Sequence, residues 1–387
     1  LEKLPEFSGL KIKTTIQKEQ NGTGDAARVG LEALSEPSNY VAILPGDIPL
    51  ISSEDLNCLF KLAQPSDVQI LTCNHPSPTG FGRIVRNIEN KVVSIIEERD
   101  ASAEQRKIVE INSSIYLIAR KVLEENLGKL TSSNAQGELY LTDLVSLAVA
   151  AGNSVEAVCV EDYFQLAGAN NRVELAELER HRRNQIIEEF QLAGVGFEDP
   201  QTCYIDEGVS IAQDSYVGAN TRLYGTTKIG TKVVIEVGCY ISEAIVSEKS
   251  IIGPFVQLRP GTELGSGVRL GNFVEVKNSK FGDFAKANHL AYIGDAEVGA
   301  QSNIGAGTIF CNYDGVNKHR SQLGEKVFVG SNSVLVSPVT IGENAYIAAG
   351  STITKNVPSG SLGLGRARQT NIEGWVARKN ATINKKD

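Results

Sequence analysis

The sequence predicts an α/β sheet domain joined by a long helix to a left-handed parallel β-helix of hexapeptide repeats. The β-helix is predicted by an aliphatic residue that recurs every six positions in the C-terminal half, a spacing that neither a helix nor an ordinary strand produces. The sheet domain is predicted by short apolar runs that alternate with helical patterns, and the connection by a charged helical stretch. The repeated residues form three runs: Ile211, Val217, Leu223, Ile229, Ile235 and Ile241; Ile252, Leu258, Leu264, Leu270 and Val276; and Val329, Leu335, Ile341, Ile347 and Ile353.

The residue that follows each repeated aliphatic residue is usually small. These small residues are Gly218, Gly230, Gly253, Gly265, Gly271, Gly330, Gly342 and Ala348. We expect the aliphatic side chains to stack inside a shaft, coil upon coil, and the small residues to let the chain turn each corner. Three hexapeptides make one triangular coil, and this repeat usually takes the left-handed form, in contrast to ordinary right-handed crossovers.

The segment 1–171 alternates apolar runs with helical patterns, which indicates an α/β sheet. The apolar runs are 40–44, 68–72 and 115–118, and a helical pattern covers Asp143 to Ala150. From Arg172 to Leu192 the pattern is helical and charged, and we expect a long helix that ends near Gly194, within a connecting segment 172–199. The β-helix and a tail rich in Gly, Arg and Lys then fill 200–387, interrupted by one polar segment from Cys311 to Lys326.

The bulk composition excludes several classes of protein. The formal net charge of −8 argues against binding to nucleic acid or an anionic membrane, and no apolar stretch is long enough to span a bilayer. Six cysteines without a CxxC pair indicate reduced, mostly buried thiols in a cytoplasmic protein, with neither a zinc site nor a disulfide framework. The chain starts at Leu1, in the middle of a domain pattern, and contains no methionine, so we expect a truncated N-terminal domain.

Two cations break the repeat where a small residue is expected. Arg259 follows Leu258 and Lys277 follows Val276, which places them one full coil apart. Their backbones should therefore lie about 5 Å apart, where two cations repel by roughly 3 kcal/mol at an effective dielectric constant of ~20. The pattern indicates a pocket for a dianion such as a phosphate. The alternative is that both side chains point into solvent, or that Glu275 and Glu263 neutralise them.

A histidine lies within about one coil of these cations. His289 stands beside Tyr292 in an otherwise aliphatic repeat, and a neutral imidazole is suited to remove a proton from an amine at pH 7. A structural role is the alternative. The polar segment that follows cannot enter the shaft, so it must protrude, either as an inert loop or as one that reaches a neighbouring shaft.

The N-terminal half contains three short motifs that are weak when taken singly. Asp47 follows an apolar run that we interpret as a buried strand, and an Asp in that place can hold Mg²⁺ against phosphates. The Gly-rich turn 20–26 offers backbone amides to a base or a phosphate. The segment 80–83 fits a substrate loop or a plain turn.

Taken together, the chain resembles the bacterial bifunctional N-acetylglucosamine-1-phosphate uridyltransferases/glucosamine-1-phosphate acetyltransferases. The segments that carry the resemblance run in family order from about residue 17 to residue 375. They include QNGTGDA, PGDIPLI, PTGFGRI, EINSSIYLIA, SSNAQGELYLTD, GANNRVELAELER, IGPFVQLRPG, GNFVEVKNS, NHLAYIGDAEVG, NIGAGTIFCNYDG, VFVGSNS and RQTNIEGW. By this resemblance, 1–171 would be a truncated, Rossmann-like nucleotidyltransferase domain.

The resemblance implies a function in two steps and a role for each matching residue. Acetyl transfer from acetyl-CoA to glucosamine 1-phosphate would precede uridyl transfer from UTP, giving UDP-N-acetylglucosamine for peptidoglycan and lipopolysaccharide. His289 would be the general base, with Arg259, Lys277, Tyr292 and Asn303 on the amino-sugar phosphate. Acetyl-CoA would contact Ala306, Asn312, Tyr313, Ser331, Ala349 and Arg366. Asp47 and Asn170 would ligate Mg²⁺, and the uridine nucleotide or sugar would contact Gln17, Gly22, Thr23, Gly46, Asp47, Gly82, Glu97, Asn112 and Asn170.

The family also has a Gly-rich phosphate loop that would lie before Leu1. If the protein starts at Leu1, we expect uridyl transfer to be lost or crippled, whereas a longer protein would keep it. The flat faces of a β-helix need covering, so we expect a homotrimer of shafts. Two alternatives remain: a different acyltransferase with the same shaft, acting on another nucleotide-sugar amine, and a non-enzymatic assembly subunit, which should have lost His289 and the NYDG segment.

Overall fold

The computed structural model describes residues 12–62 and 66–383. Its contacts divide the chain into two units that meet between His181 and Arg182. That boundary falls inside a 21-residue helix, Arg172–Leu192, in the place where the charged helical pattern predicted one. The turn that follows contains Gly194 with a φ of 90°, a left-handed conformation that favours glycine after a helix.

The N-terminal unit is built around one mixed sheet. Its helices are α1 Thr23–Ala33, α2 Ser53–Leu62, α3 Arg120–Asn126, α4 Asp143–Ala150 and α5 Arg172–Leu192, with 3₁₀ turns at Gln105–Lys107, Leu127–Lys129 and Tyr163–Leu166. Its strands are β1 Tyr40–Ile43, β2 Val68–Asn74, β3 Arg83–Arg86, β4 Val92–Ile96, β5 Glu110–Ala119 and β6 Val155–Val160. The sheet order is β4-β3-β5-β2-β6, and β1 also pairs with β5. The α/β prediction is confirmed, although only the β2–β6 pair is parallel among the described strands of this sheet.

The centre of this sheet is buried on both faces. Strand β2 is buried from Val68 to Cys73, because alternate side chains pack into two separate apolar clusters. The prediction that the strand before Asp47 is buried is wrong. Strand β1 is only partly buried, since β5 is its one pairing partner in the part of the chain that the structure describes.

The C-terminal unit is a three-sided parallel β-helix, as the six-residue period predicted. Face one contains Gly196–Phe197, Tyr216–Val217, Val234–Ile235, Ile251–Ile252, Arg269–Asn272, Lys286–His289, Asn303–Ile304, Phe328–Val329, Tyr346–Ile347 and Leu362–Gly363. Face two contains Tyr204–Ile205, Arg222–Tyr224, Tyr240–Ser242, Gln257–Leu258, Glu275–Lys277, Tyr292–Gly294, Ile309–Cys311, Val334–Val336 and Thr352–Ile353. Face three contains Ser210–Ile211, Lys228–Ile229, Ala244–Val246, Thr262–Leu264, Lys280–Phe281, Ala296–Val298, Ser321–Leu323 and Thr340–Ile341. A 3₁₀ turn at Pro200–Thr202 precedes face two, and helix α6, Trp375–Ile383, follows the last coil.

All the repeated aliphatic residues of the three runs are buried in one continuous core along the shaft. The six-residue period breaks where a step between inward residues is one position shorter. The shorter steps run from Ile241 to Val246, from Val276 to Phe281 and from Ile293 to Val298. Each falls at the corner between face two and face three, where a residue with positive φ makes a shorter turn. The sequence periodicity therefore shifts in phase without any change in the shaft.

The small residues after the inward positions have a different role from the predicted one. A Cβ at Gly271 would overlap the Asn288 carbonyl oxygen, and one at Gly265 would lie 2.9 Å from the Asp283 backbone nitrogen. Neither glycine has a positive φ; the left-handed corner residues come later, as at Phe273. Most of these positions are small because the next coil approaches closely, and the prediction that they turn the chain is wrong for them. Gly253, with a φ of 118°, is the exception among these glycines.

The cysteines are all free, as predicted, but fewer are buried than expected. Cys73, Cys203 and Cys239 are buried and Cys311 is partly buried. Cys58 and Cys159 are exposed, because Cys58 lies on the outer side of α2 and Cys159 on β6, which pairs only with β2 among the described strands. Among the described residues, no helix combines the length and the apolar character needed to cross a membrane.

Candidate active sites

The two cations that break the repeat lie next to each other at one edge of face two. Leu258 and Val276 are register partners, and the Arg259 amide donates to the Val276 carbonyl at 2.9 Å. Arg259 and Lys277 are therefore stacked, as their one-coil spacing predicted. Arg259 also forms a 2.9 Å ion pair with Glu275, whereas Glu263 pairs with Lys280 instead. The predicted alternative of neutralisation thus applies to Arg259 and not to Lys277.

A third cation, Lys318, contacts Lys277. It belongs to the polar segment between face two and face three, which protrudes from the shaft as expected. The contact with Lys318 and its charge lower the pKa of Lys277 below that of an ordinary lysine, and Arg259 adds a smaller effect in the same direction. Because the neighbouring charges of Lys277 and Lys318 repel each other, an anion bound between them would be favoured.

The position above Lys277 on the next coil is Gly294, and two polar groups occupy the space that a side chain would fill. A Cβ there would lie 2.6 Å from the Tyr292 hydroxyl and 2.7 Å from Asn312 Nδ2. Gly294 and Lys277 are register partners, so Tyr292 and Asn312 reach the cationic edge. The buried Asp295 carboxylate accepts from Asn312 and Asn278, which fixes this edge of the site.

His289 lies at the other edge of face two, at the corner where face one ends. Its side chain is exposed, and its Nδ1 lies 2.9 Å from Asn272 Oδ1. Because a carbonyl oxygen only accepts, Nδ1 carries the proton and Nε2 of the neutral ring keeps its lone pair. That nitrogen is the one available to accept a proton.

Three of the residues predicted to bind acetyl-CoA stack above His289 on the same corner. Each stands two positions after an inward residue of face one, and those inward residues are register partners on successive coils. The stack is His289, Ala306, Ser331 and Ala349. At about 4.8 Å per coil it is about 14 Å long, and Arg366 closes its far end by donating to the Ala349 carbonyl at 2.8 Å.

The structure therefore places most of the residues predicted to serve acetyl transfer along the two edges of one face. Asn303 is the exception, because it lies on face one, in register with Lys286. Tyr313 is exposed on the protruding segment, where it forms a bridge with Lys318.

In the N-terminal unit, two of the predicted nucleotide-site residues line a cavity of about 510 Å³. Thr23 and Glu97 line it, together with Tyr116, Thr142 and Pro45. The Gly-rich turn is joined to the segment 138–141: Gly24 donates to the Leu139 carbonyl at 2.8 Å, and Thr23 Oγ1 accepts from the Leu141 amide. Gly22, with a φ of 108°, has no room for a side chain, since a Cβ would lie 2.7 Å from the Leu139 carbonyl.

The other residues predicted to contact the nucleotide or sugar include three that lie on or next to neighbouring strands. Burial raises the pKa of Glu97, which accepts a hydrogen bond from Thr142 at 3.1 Å. A Cβ at Gly82 would lie 3.4 Å from the Glu97 carboxylate, so this glycine leaves the carboxylate accessible. Asn112 donates its backbone amide to the Gly82 carbonyl and its side-chain amide to Tyr116. Gln17 holds the turn from outside by donating to the Gly22 carbonyl and to Asp25.

The two predicted magnesium ligands come from segments that the structure brings together. The Ala169 amide donates to the Asp47 carbonyl at 3.0 Å, and a Cβ at Gly168 would lie 3.2 Å from Asp47 Oδ2. Asn170 donates its backbone and side-chain nitrogens to Glu174, which leaves its Oδ1 available. Gly46 lies between Asp47 and the cavity-lining Pro45. Among the described residues, no group of three or more His, Cys, Asp or Glu side chains is arranged to hold a metal.

Sequence reasoning missed Lys318 and Asp295, which lie at the cationic edge, and Asn272, which contacts His289. Lys318 belongs to a segment without periodicity, so spacing could not place it on Lys277. Asn272 was within reach of the sequence, because it stands one coil before His289 and is its register partner.

Comparison with known proteins assigns both halves. A family model described as "Nucleotidyl transferase" matches residues 1–171, and one described as "Bacterial transferase hexapeptide (six repeats)" matches residues 320–355. The bifunctional protein GlmU of Stutzerimonas stutzeri is 44% identical over 386 residues, covering 95% of this chain and 85% of that protein. The proteins of the same description from Corynebacterium efficiens and Alkaliphilus metalliredigens are 41% and 42% identical and are covered over 80% and 84% of their length. Both halves of the chain, in this order, thus match one kind of bifunctional protein, and the chain belongs to the GlmU family.

Proposed function

We propose that the chain carries out two consecutive reactions that make UDP-N-acetylglucosamine. The C-terminal β-helix transfers an acetyl group from acetyl-CoA to the amino group of glucosamine 1-phosphate. The N-terminal unit then transfers a uridyl group from UTP to the resulting N-acetylglucosamine 1-phosphate, with release of pyrophosphate. The observation that carries the first reaction is the cationic edge of face two, which faces His289 across the width of that face.

The acceptor's phosphate is assigned to the cationic edge. Arg259 and Lys277 are stacked there and Lys318 contacts Lys277, so a dianion would relieve the repulsion between the two lysines. Tyr292 reaches the same edge and would contact the sugar phosphate. Asn303, on the adjoining face, is assigned to the same ligand by its match to the family pattern.

The acetyl donor is assigned to the corner that contains His289. An extended thioester arm lying along Ala306, Ser331 and Ala349 would bring its acetyl group to the imidazole at the lower end of the stack. Arg366, fixed on the Ala349 carbonyl, is placed to meet the charged end of the cofactor. Asn312 and Tyr313 would approach from the protruding segment.

His289 is proposed as the general base. Glucosamine 1-phosphate enters as an ammonium ion and must release one proton to solvent before its nitrogen can attack. As the nitrogen attacks the thioester carbonyl carbon, Nε2 of His289 takes the second proton, while Asn272 holds Nδ1–H and so fixes the tautomer. The C–S bond then breaks, and the imidazolium can return its proton to the leaving thiolate of CoA.

For uridyl transfer, the cavity beside α1 is assigned to the nucleotide and the sugar. Thr23, which belongs to the Gly-rich turn, and Glu97 line the cavity. Gly82 lies against the Glu97 carboxylate, and Asn112 donates to the Gly82 carbonyl. Asp47 and Asn170 offer a carboxylate and an amide oxygen, hard donors of the kind that bind Mg²⁺ while substrate phosphates and water complete its coordination. When bound there, Mg²⁺ would neutralise phosphate charge during attack on the α-phosphorus of UTP.

We also propose a homotrimer in the cytoplasm. Phe255, Phe273 and Leu290 form an apolar ridge beside His289, and each is about half exposed in the single chain. Phe255 and Phe273 stack with ring centroids 5.6 Å apart, and a ridge of this kind is suited to pack against another copy of the chain. The free cysteines and the proposed substrates, acetyl-CoA and UTP, agree with a reducing cytoplasm.

The acetyl transfer is tested by measuring thiol release from acetyl-CoA with glucosamine 1-phosphate. The wild-type protein should be active, and His289→Ala should lower kcat by about 10²- to 10⁴-fold, the usual contribution of a general base. Lys228→Ala, at an exposed cation on face three, is the matched control and should keep full activity. A folded His289→Ala protein that acetylates at the normal rate would remove this residue's role.

The uridyl transfer is tested separately by pyrophosphate release from UTP and N-acetylglucosamine 1-phosphate with added Mg²⁺. Asp47→Ala should abolish the release while leaving thiol release unchanged, because the two sites lie in different units. Equal loss of both activities would contradict the assignment of Asp47 to one reaction.

A further inference from the structure

The protruding segment between Asn312 and Arg320 forms a short hairpin, which we call the site hairpin. Tyr313 and Lys318 pair across it in an antiparallel bridge, and the His319 amide donates to the Asn312 carbonyl at 2.7 Å. Bridge partners share one side of a hairpin. Lys318 lies beside Lys277, and Tyr313 is its partner across the hairpin.

The Asp314 carboxylate closes the tip of the site hairpin, together with a backbone hydrogen bond from the Asp314 amide to the Asn317 carbonyl at 3.1 Å. Asp314 Oδ1 accepts from the backbone amides of Val316 and Asn317 at 2.8 and 2.6 Å, and Oδ2 lies 2.7 Å from His319 Nε2. The contact with His319 is the largest of the effects that lower the pKa of Asp314, followed by those of the two amides. His319 therefore connects the tip directly to the strand that carries Lys318.

The base of the site hairpin is fixed to the shaft independently of its tip. Asn312 donates to the buried Asp295, and Arg320 forms a 3.2 Å ion pair with Glu297. These contacts hold the two ends of the hairpin, and the bridge to Tyr313 holds the backbone of Lys318 between them. The contact between Asp314 and His319 joins the residues that flank this bridge and so adds a further restraint on Lys318.

Lys318 is held in a place that its charge opposes. Two ammonium groups in contact repel each other, and an exposed lysine on a free loop would move into solvent. A restraint is needed to keep Lys318 beside Lys277 before an anion binds, and the closed tip supplies one. Preorganised groups of this kind increase affinity because less conformational freedom is lost on binding.

We propose that Asp314 and His319 are positioning residues for the phosphate of the acetyl acceptor, and that they act through Lys318. This inference rests on the proposed acetyl transfer to glucosamine 1-phosphate. The two residues need not touch the substrate, because they hold the third cation, Lys318, in place before the phosphate binds.

The test compares KM and kcat for glucosamine 1-phosphate in His319→Phe, Lys318→Ala and the double variant. His319→Phe keeps a ring and removes the hydrogen bond to Asp314, so KM should rise about ten-fold with kcat within about two-fold. His319→Gln keeps an N–H donor and should restore most of the affinity. In the Lys318→Ala background, His319→Phe should add no more than about two-fold, since its effect passes through the missing lysine.

Val316→Ala is the matched control, because Val316 is 82% exposed at the same tip and should leave KM unchanged. Thermal unfolding of each variant checks that the fold is kept. An unchanged KM in His319→Phe, or a full ten-fold effect that persists without Lys318, would overturn the inference while acetylation by the wild-type protein still stands. A wild-type protein that does not acetylate glucosamine 1-phosphate would instead sink the proposed function, and this inference with it.

Discussion

Gly294→Ala is the change that tests most directly how tightly the acceptor edge is built. The added methyl would lie 2.6 Å from the Tyr292 hydroxyl and 2.7 Å from Asn312 Nδ2, whereas ordinary contacts begin at 3.4 Å. Both groups must therefore retreat by about 0.7 Å. The shaft itself should tolerate the change, because Gly294 has no positive φ and the crowded atoms are the ends of side chains.

A displacement of this size has a large effect on positioning. A shift of about 1 Å can cost on the order of 100-fold in rate, so we expect kcat/KM for glucosamine 1-phosphate to fall about ten-fold or more. A ten-fold loss corresponds to about 1.4 kcal/mol of transition-state stabilisation. The measurement is thiol release over a range of acceptor concentrations, with the melting temperature recorded in parallel.

The matched control is Gly128→Ala, since a Cβ there would meet nothing within 4 Å. That variant should keep both kcat/KM and the melting temperature. If Gly294→Ala folds normally and keeps full kcat/KM, then the Tyr292 hydroxyl is not positioned for the acceptor as described. A large fall in melting temperature would show instead that the methyl group disturbs the shaft.

Three further changes follow from the structure. Ser114 lines the N-terminal cavity and has a φ of 62°, a left-handed conformation that favours glycine. Ser114→Gly should therefore relieve backbone strain of about 1 kcal/mol and raise the melting temperature by roughly 2–4 °C. An unchanged melting temperature would show that this backbone is not strained. Burial raises the pKa of Glu97, so the folded state binds more protons than the unfolded state between the two pKa values, and stability falls as pH rises through that window. Glu97→Gln, which can still accept from Thr142, should therefore stabilise the protein at pH 7.5 and not below about pH 4, and an equal gain at both pH values in urea unfolding would contradict this. Cys311→Ala should keep the rate of acetyl transfer, because no covalent acyl-enzyme is needed; loss of activity with a retained fold would make Cys311 a candidate nucleophile.

The stacking of Arg259 on Lys277 could be predicted by counting residues. In a β-helix each strand pairs with the strand one coil away, so a fixed spacing in sequence becomes a fixed neighbour in space. The same rule was sufficient to identify the buried residues of all three runs. The rule was less informative about why glycine occupies the positions after the inward residues. The reason is the close approach of the next coil, which could be seen only in the folded chain.

The relation between His289 and the cations was harder to obtain from the sequence. Spacing predicted that they lie within about one coil of each other, and along the shaft this is correct. His289 lies on the same coil as Gly294, and Gly294 is the register partner of Lys277 on the coil before. It did not reveal that the histidine and the cations occupy opposite edges of face two. Which corner a residue occupies depends on the shortened steps that only the structure showed.

By itself, the sequence determined the architecture, the inward residues, the stacked pair Arg259–Lys277 and the family resemblance, because a repetitive backbone turns spacing into contact. Only the tertiary structure decided that Lys318 meets Lys277 and that Asp314 and His319 close the hairpin carrying it. Nothing periodic governs that hairpin. A few side-chain hydrogen bonds set its course, and contacts of that kind depend on three-dimensional positions that spacing does not encode.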